Sequence, residues 1–194
     1  MDDRYFTAIF SSGKHKVLGK KLQPFTLSHR LALLALDSPL SGECKRDSTT
    51  FAELQIAIEI CRQKGGANIN LNVKPSLGFN GMKYLKGYFE RQMYLFGQYI
   101  REYSSQPKLW QAKSNDEDTD SNDLLNPHWT LNVITGLMTM AGMSYGEAMA
   151  TEEGKAIWLY IGLLRHKGTD IKIKSTDFEK WVKEMELQAQ KDGN

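Results

Sequence analysis

The stretch 152–167, EEGKAIWLYIGLLRHK, decides the fold class. Glu152 and Glu153 suit the positive end of a helix dipole, Arg165, His166 and Lys167 suit the negative end, and Gly168 can close the helix in a left-handed turn. Thr151 stands where an N-cap is expected. Between the ends, Ala156, Ile157, Trp158, Leu159, Tyr160, Ile161, Leu163 and Leu164 leave no polar face. At about 100° per residue these side chains point in every direction, which predicts a central core helix with other elements packed all round it. An apolar run of roughly 14 residues is too short for a bilayer, which needs about 20.

Working outward, Asn126-Pro127 is expected to open the preceding helix, whose Trp129, Val133, Ile134, Leu137, Met138 and Met140 cover most of its surface. Ser144 and Glu147 form a capping box for a short helix at 145–150. The methionines at 138, 140, 143 and 149 read as core filling. Beyond Gly168, residues 170–174 alternate like a short strand, and Thr176 with Glu179 caps a last amphipathic helix at 176–189.

Upstream, residues 5–22 alternate weakly around a Ser12-Gly13 turn, which predicts a marginal hairpin. It holds Lys14, Lys16, Lys20 and Lys21, a basic run that is read as a solvated face in preference to a phosphate site. Pro24 and a Thr26 cap lead into a helix at 26–36 that carries His29, a packed or surface histidine on this pattern. Thr50 and Glu53 box the next helix, 50–64, ahead of Gly65-Gly66. Residues 67–75 alternate at period two, as an edge strand or an asparagine-rich loop would.

The longest helix is expected at 80–104. Met82, Leu85, Phe89, Met93, Phe96 and Ile100 form an aliphatic stripe that predicts docking on the core, beside a second stripe of Tyr84, Tyr88, Leu95, Tyr99 and Tyr103. Two readings of the second stripe stand. Tyrosine suits a surface that is wet in the free protein and buried against a protein partner or a second copy. Alternatively the N-terminal segment folds over it.

The acidic stretch 114–123, SNDEDTDSND, is the one place that invites a metal. Asp118, Asp120 and Asn122 match the first liganding positions of a calcium loop, but Asp123 replaces the turn glycine and Trp129 the closing acid. No metal and no cofactor are expected, and the stretch reads as a linker. The chain thus divides into an N-terminal helical part, 1–113, the acidic loop, 114–125, and a C-terminal helical part, 126–194, packed on the same core. The fold class is mainly α, a single-core helical bundle with a short N-terminal hairpin and minor strands.

Composition narrows the function. A net charge of +2 with 25% charged and 41% hydrophobic residues is that of an ordinary globular domain, which argues against nucleic acid as a partner. The acidic start, MDDRYFTAIF, is unlike a signal peptide, and Cys44 and Cys61 give neither a disulfide framework nor a metal spacing, so a cytoplasmic protein with reduced thiols is expected. The chain has four histidines apart from one another and lacks GxSxG, HExxH and a phosphate-binding glycine loop, which argues against an enzyme. An unrecognised small enzyme stays an alternative, as does a helix-turn-helix regulator built on 133–150. The second helix of that motif would present Tyr145, Gly146, Glu147 and Ala150, an acid and no cation for the phosphates.

Two stretches carry a resemblance: VLGKKLQPFTLSHRLALLALDSPL at 17–40 with AIEICRQ at 57–63, and SYGEAMATEEGKAIWLYIGLLRHKG at 144–168. They resemble small proteins encoded among the tail genes of long-tailed bacteriophages and prophages, including the tail assembly chaperones. The resemblance implies a non-catalytic, mostly helical protein of the bacterial cytoplasm that binds the tape measure protein during tail assembly and is absent from the finished particle.

Overall fold

The structure is a computed structural model, and it describes residues 13–42, 48–75, 86–105, 128–169 and 171. The protein is mainly helical, with a two-stranded hairpin as its sheet among the described residues. The hairpin pairs β1, Lys16–Val17, with β2, Lys20–Lys21, antiparallel, Lys16 opposite Lys21 and Val17 opposite Lys20. Residues 5–12, and with them the expected Ser12-Gly13 turn, lie outside the described residues; the turn of this hairpin is at Leu18-Gly19. Both turn residues have positive φ, 50° and 72°, the geometry that matches strand twist in a tight hairpin. A leucine is an unusual choice there. Burial of its side chain and donation of its N–H to Gln92 Oε1 at 2.8 Å hold it in place.

Helix α1, Leu27–Ala35, follows the extended Pro24 segment, and a 3₁₀ turn at Pro39–Ser41 follows it. Helix α2, Phe51–Cys61, opens on the expected box: Thr50 Oγ1 accepts from the Glu53 N–H at 3.2 Å while Glu53 Oε2 accepts from the Thr50 N–H at 2.7 Å. It ends earlier than Gly65-Gly66. Gly65 instead lies against the Thr26 side chain, where a Cβ would collide. Residues 67–75 form a loop and not a strand, pinned by Gln63, whose amide donates to the Asn70 carbonyl and accepts from the Asn70 N–H at 2.9 and 2.8 Å.

Helix α3 spans Lys86–Tyr103, α4 Trp129–Ala141, α5 Tyr145–Ala150 and α6 Glu153–His166. The Ser144–Glu147 box caps α5 as expected, and Gly142 and Gly168, with φ of 69° and 89°, close the helices before them. The N-cap of α4 is His128, whose Nδ1 accepts from the Thr130 N–H at 3.2 Å. That of α6 is Glu152, because the Thr151 hydroxyl is already committed to the Glu147 carbonyl of α5 at 2.8 Å. The Asn126-Pro127 start, most of the 170–174 strand and the 176–189 helix lie outside the described residues, as does the acidic loop.

Among the described residues, two apolar clusters fill the interior. One gathers Val17, Leu18, Leu22, Phe25, Leu33, Leu54, Ile58 and Phe96 from the hairpin, α1, α2 and α3. The other gathers Leu27, Val133, Ile134, Leu137, Met149, Ile157 and Ile161 from α1, α4, α5 and α6. Among the described residues only α1 and its lead-in contribute buried apolar side chains to both, so α1 is the shared element there, in the place expected for the 152–167 helix. Among the described residues α6 is covered along one arc, Gly154, Ala156, Ile157 and Ile161, while Leu159 stays 39% exposed. An all-round apolar pattern states how many faces can be buried, not how many are.

Candidate functional site

The tyrosine stripe is the surface expected to meet a partner. Tyr84 lies outside the described residues, and Tyr88 and Leu95 are half-buried. Tyr99 and Tyr103 are interior, so they offer no surface to a partner in the folded chain. The Tyr99 hydroxyl donates to the Gln23 carbonyl at 2.8 Å and that of Tyr103 to the Gly13 carbonyl at 3.1 Å. The His15 ring stands edge-on to both, its Nε2 2.8 Å from Glu102 Oε2. The N-terminal segment therefore covers this half of the stripe. Its backbone carbonyls satisfy hydroxyls that would otherwise be costly to bury. The aliphatic stripe sits correspondingly shallower: Phe96 is buried, but Phe89, Met93 and Ile100 are only partly so.

What the described residues build most completely is a buried polar centre between the two clusters. Arg30, on α1, donates Nε to Glu153 Oε2 at 2.7 Å and Nη2 to Glu153 Oε1 at 2.8 Å, a two-pronged pair with the first residue of α6. Nη1 donates to the Ser41 carbonyl, and Nη2 also reaches Ser104 Oγ at 3.2 Å. The guanidinium lies over the Phe25 ring, 5.0 Å from its centroid. Glu153 is 0% exposed and Arg30 7%. Beside the pair the backbone forms an isolated antiparallel bridge: the Leu27 N–H donates to the Thr151 carbonyl at 3.1 Å and the Glu153 N–H to the Phe25 carbonyl at 3.0 Å.

His29 completes the centre. Its Nδ1 accepts from the Thr26 N–H at 3.1 Å, and its Nε2 lies 3.0 Å from the Gln63 carbonyl. A backbone N–H can only donate and a carbonyl can only accept, so the ring is the neutral tautomer with its proton on Nε2. Burial pushes its pKa down to about 4, outweighing the carbonyls of Gln63 and Pro24 that favour the proton. An imidazole thus does at the third helical position what glutamate does in an ordinary capping box. Cys61 is buried nearby, and burial pushes its thiol up to about 12, so it is not a thiolate at neutral pH.

Arg30 directs four hydrogen bonds to protein acceptors and His29 is held in one tautomer, so these groups tie α1 to α6, to the Pro39–Ser41 turn and to the end of α2. Among the described residues no three His, Cys, Asp or Glu side chains group as metal ligands would, and no helix is long and apolar enough to cross a membrane. Helix α5 of the helix-turn-helix alternative is six residues long and exposes Tyr145, Glu147 and Ala150.

Comparison with protein-family models, curated proteins and solved structures finds no match to this chain.

The sequence leaves His29 as a packed or surface histidine and carries no sign of the polar centre. Arg30 and Glu153 are 123 positions apart, and neither belongs to a local motif.

Proposed function

We propose that this chain is a non-catalytic tail assembly protein of a bacteriophage or prophage, a cytoplasmic chaperone that binds the tape measure protein. The observation that carries the proposal is how the two stretches with the tail-protein resemblance are arranged. Residues 17–40 with 57–63 supply the hairpin apart from Lys16, α1 and the end of α2; residues 144–168 supply α5 and α6. Far apart in sequence, they meet at the Arg30–Glu153 pair and at the Thr26–Glu152 bridge, so the resembling residues form one folded unit and are not two scattered phrases. A helical scaffold in which the buried Arg30, Glu153 and His29 are committed to its own architecture also suits a protein that acts by binding.

On this proposal the partner meets the outer edge of α3. Tyr88 and Leu95 are half-buried there and Tyr94 is 60% exposed, which leaves aromatic area beside Arg91 and Gln98 for a helical segment of the partner. The test is affinity purification from cells that co-express this chain with the tape measure protein of its own gene cluster. Co-elution, with more tape measure protein in the soluble fraction, supports the proposal. A tape measure protein that stays insoluble and never co-elutes overturns it.

A further inference from the structure

We infer that the buried Arg30–Glu153 pair is a registry latch, which selects the face of α6 that docks on the rest of the chain. Helix α6 is apolar on every side between its charged ends. Burial of hydrocarbon therefore distinguishes poorly between the observed docking, through Ala156, Ile157 and Ile161, and one rotated by two residues, about 200°, through Trp158, Leu159 and Leu163. Glu153 is the one charged residue on the buried arc of α6. In the observed rotation it meets the Arg30 guanidinium through both oxygens, at 2.7 and 2.8 Å. In the rotated docking, Arg30, held beneath by Phe25 and at its side by the Ser41 carbonyl, faces hydrocarbon with two N–H groups unpaired.

A buried ion pair is a weak source of net stability, since desolvation of both charges offsets most of their attraction, but it discriminates strongly against arrangements that separate the partners. The indole of Trp158 reports the rotation, because its Nε1 donates to the Ser105 carbonyl at 3.2 Å only when α6 docks as observed. The Thr26–Glu152 backbone bridge fixes where α6 begins, and the latch fixes which way it turns.

The test replaces both partners with apolar residues of similar length, Arg30→Met with Glu153→Leu, and separately makes Glu153→Gln, which keeps the shape and removes the charge. Circular dichroism gives the melting temperature, and the indole N–H region of a nitrogen-labelled NMR spectrum gives the register. The expected result is a double variant that is fully helical, melts within about 5 °C of the unaltered protein, and shows the Trp158 indole as two or more signals or one broadened by exchange. Glu153→Gln is expected to stay folded with the same loss of a single signal. A double variant that falls as far in melting temperature as Glu153→Leu alone makes the pair a stability element and overturns the inference. So does a single, unshifted Trp158 signal in both variants, which would leave the backbone bridge sufficient.

Discussion

His29 Nδ1 accepts the backbone N–H of Thr26 at 3.1 Å, so the start of α1 is capped by a ring that must stay unprotonated to do it. A proton on Nδ1 would set two donors against each other.

This gives a pH dependence with a definite sign. In the folded chain the His29 pKa is about 4, against 6.5 for an ordinary histidine. Above pH 6.5 both folded and unfolded states carry a neutral ring and the group has no effect on stability. As pH falls from about 6.5 towards 4 the unfolded chain takes up a proton that the folded chain refuses, and stability declines, by up to about 3 kcal/mol for the full shift. The melting temperature of His29→Gln, followed from pH 7 to 4, should fall less than that of the unaltered protein. Equal slopes would mean that other groups carry the acid sensitivity.

Removing one member of the buried pair should be far worse than removing both. Glu153→Leu strands a guanidinium in the interior and should destabilise the fold by roughly 3–5 kcal/mol. Urea unfolding is the measurement. A loss under 1 kcal/mol would show that water reaches Arg30 when Glu153 is gone.

Tyr99 and Tyr88 should behave differently. Tyr99→Ala opens a cavity between the hairpin, α1 and α3 and should cost about 3–5 kcal/mol, and Tyr99→Phe, which removes the hydroxyl with its bonds to the Gln23 carbonyl and the Cys61 thiol, about 1 kcal/mol. Tyr88→Ser with Tyr94→Ser at the outer edge of α3 should move the melting temperature little while abolishing capture of the partner. If the edge pair unfolds the protein, that edge is core and the contact surface lies elsewhere.

Gly136 of α4 faces the ring of Tyr160 on α6, and a Cβ there would overlap its Cε2 and Cδ2 atoms. Gly136→Ala is therefore expected to destabilise by about 1–3 kcal/mol through overpacking, against the gain that alanine normally brings to a helix interior. Calorimetry on Gly136→Ala, and on Gly136→Ala with Tyr160→Leu, checks both the loss and its relief. A stabilised single variant would mean that the Tyr160 ring turns aside freely.

Local chemistry made much of this legible from the chain. The Thr50–Glu53 and Ser144–Glu147 boxes, the left-handed closure at Gly168 and the helical spacing of Leu54, Ala57, Ile58 and Cys61 are properties of neighbours within four or five residues, and the structure has them where the sequence puts them. The hairpin was legible as a tendency. Its turn was not, because Leu18 takes a positive φ only with the Gln92 side chain of α3 holding its N–H.

The sequence by itself determined that this is a helical protein and which residues cap and face its helices, since those signals act over a single turn of chain. The tertiary structure decided which apolar face won. It buried Tyr99 and Tyr103 because carbonyls of the N-terminal segment reach their hydroxyls, and left Leu159 exposed because Glu153 turns the other side of its helix towards Arg30. Hydrophobic burial has no direction. Hydrogen bonds and ion pairs do, and here their partners lie 76 to 123 residues away, beyond any local pattern.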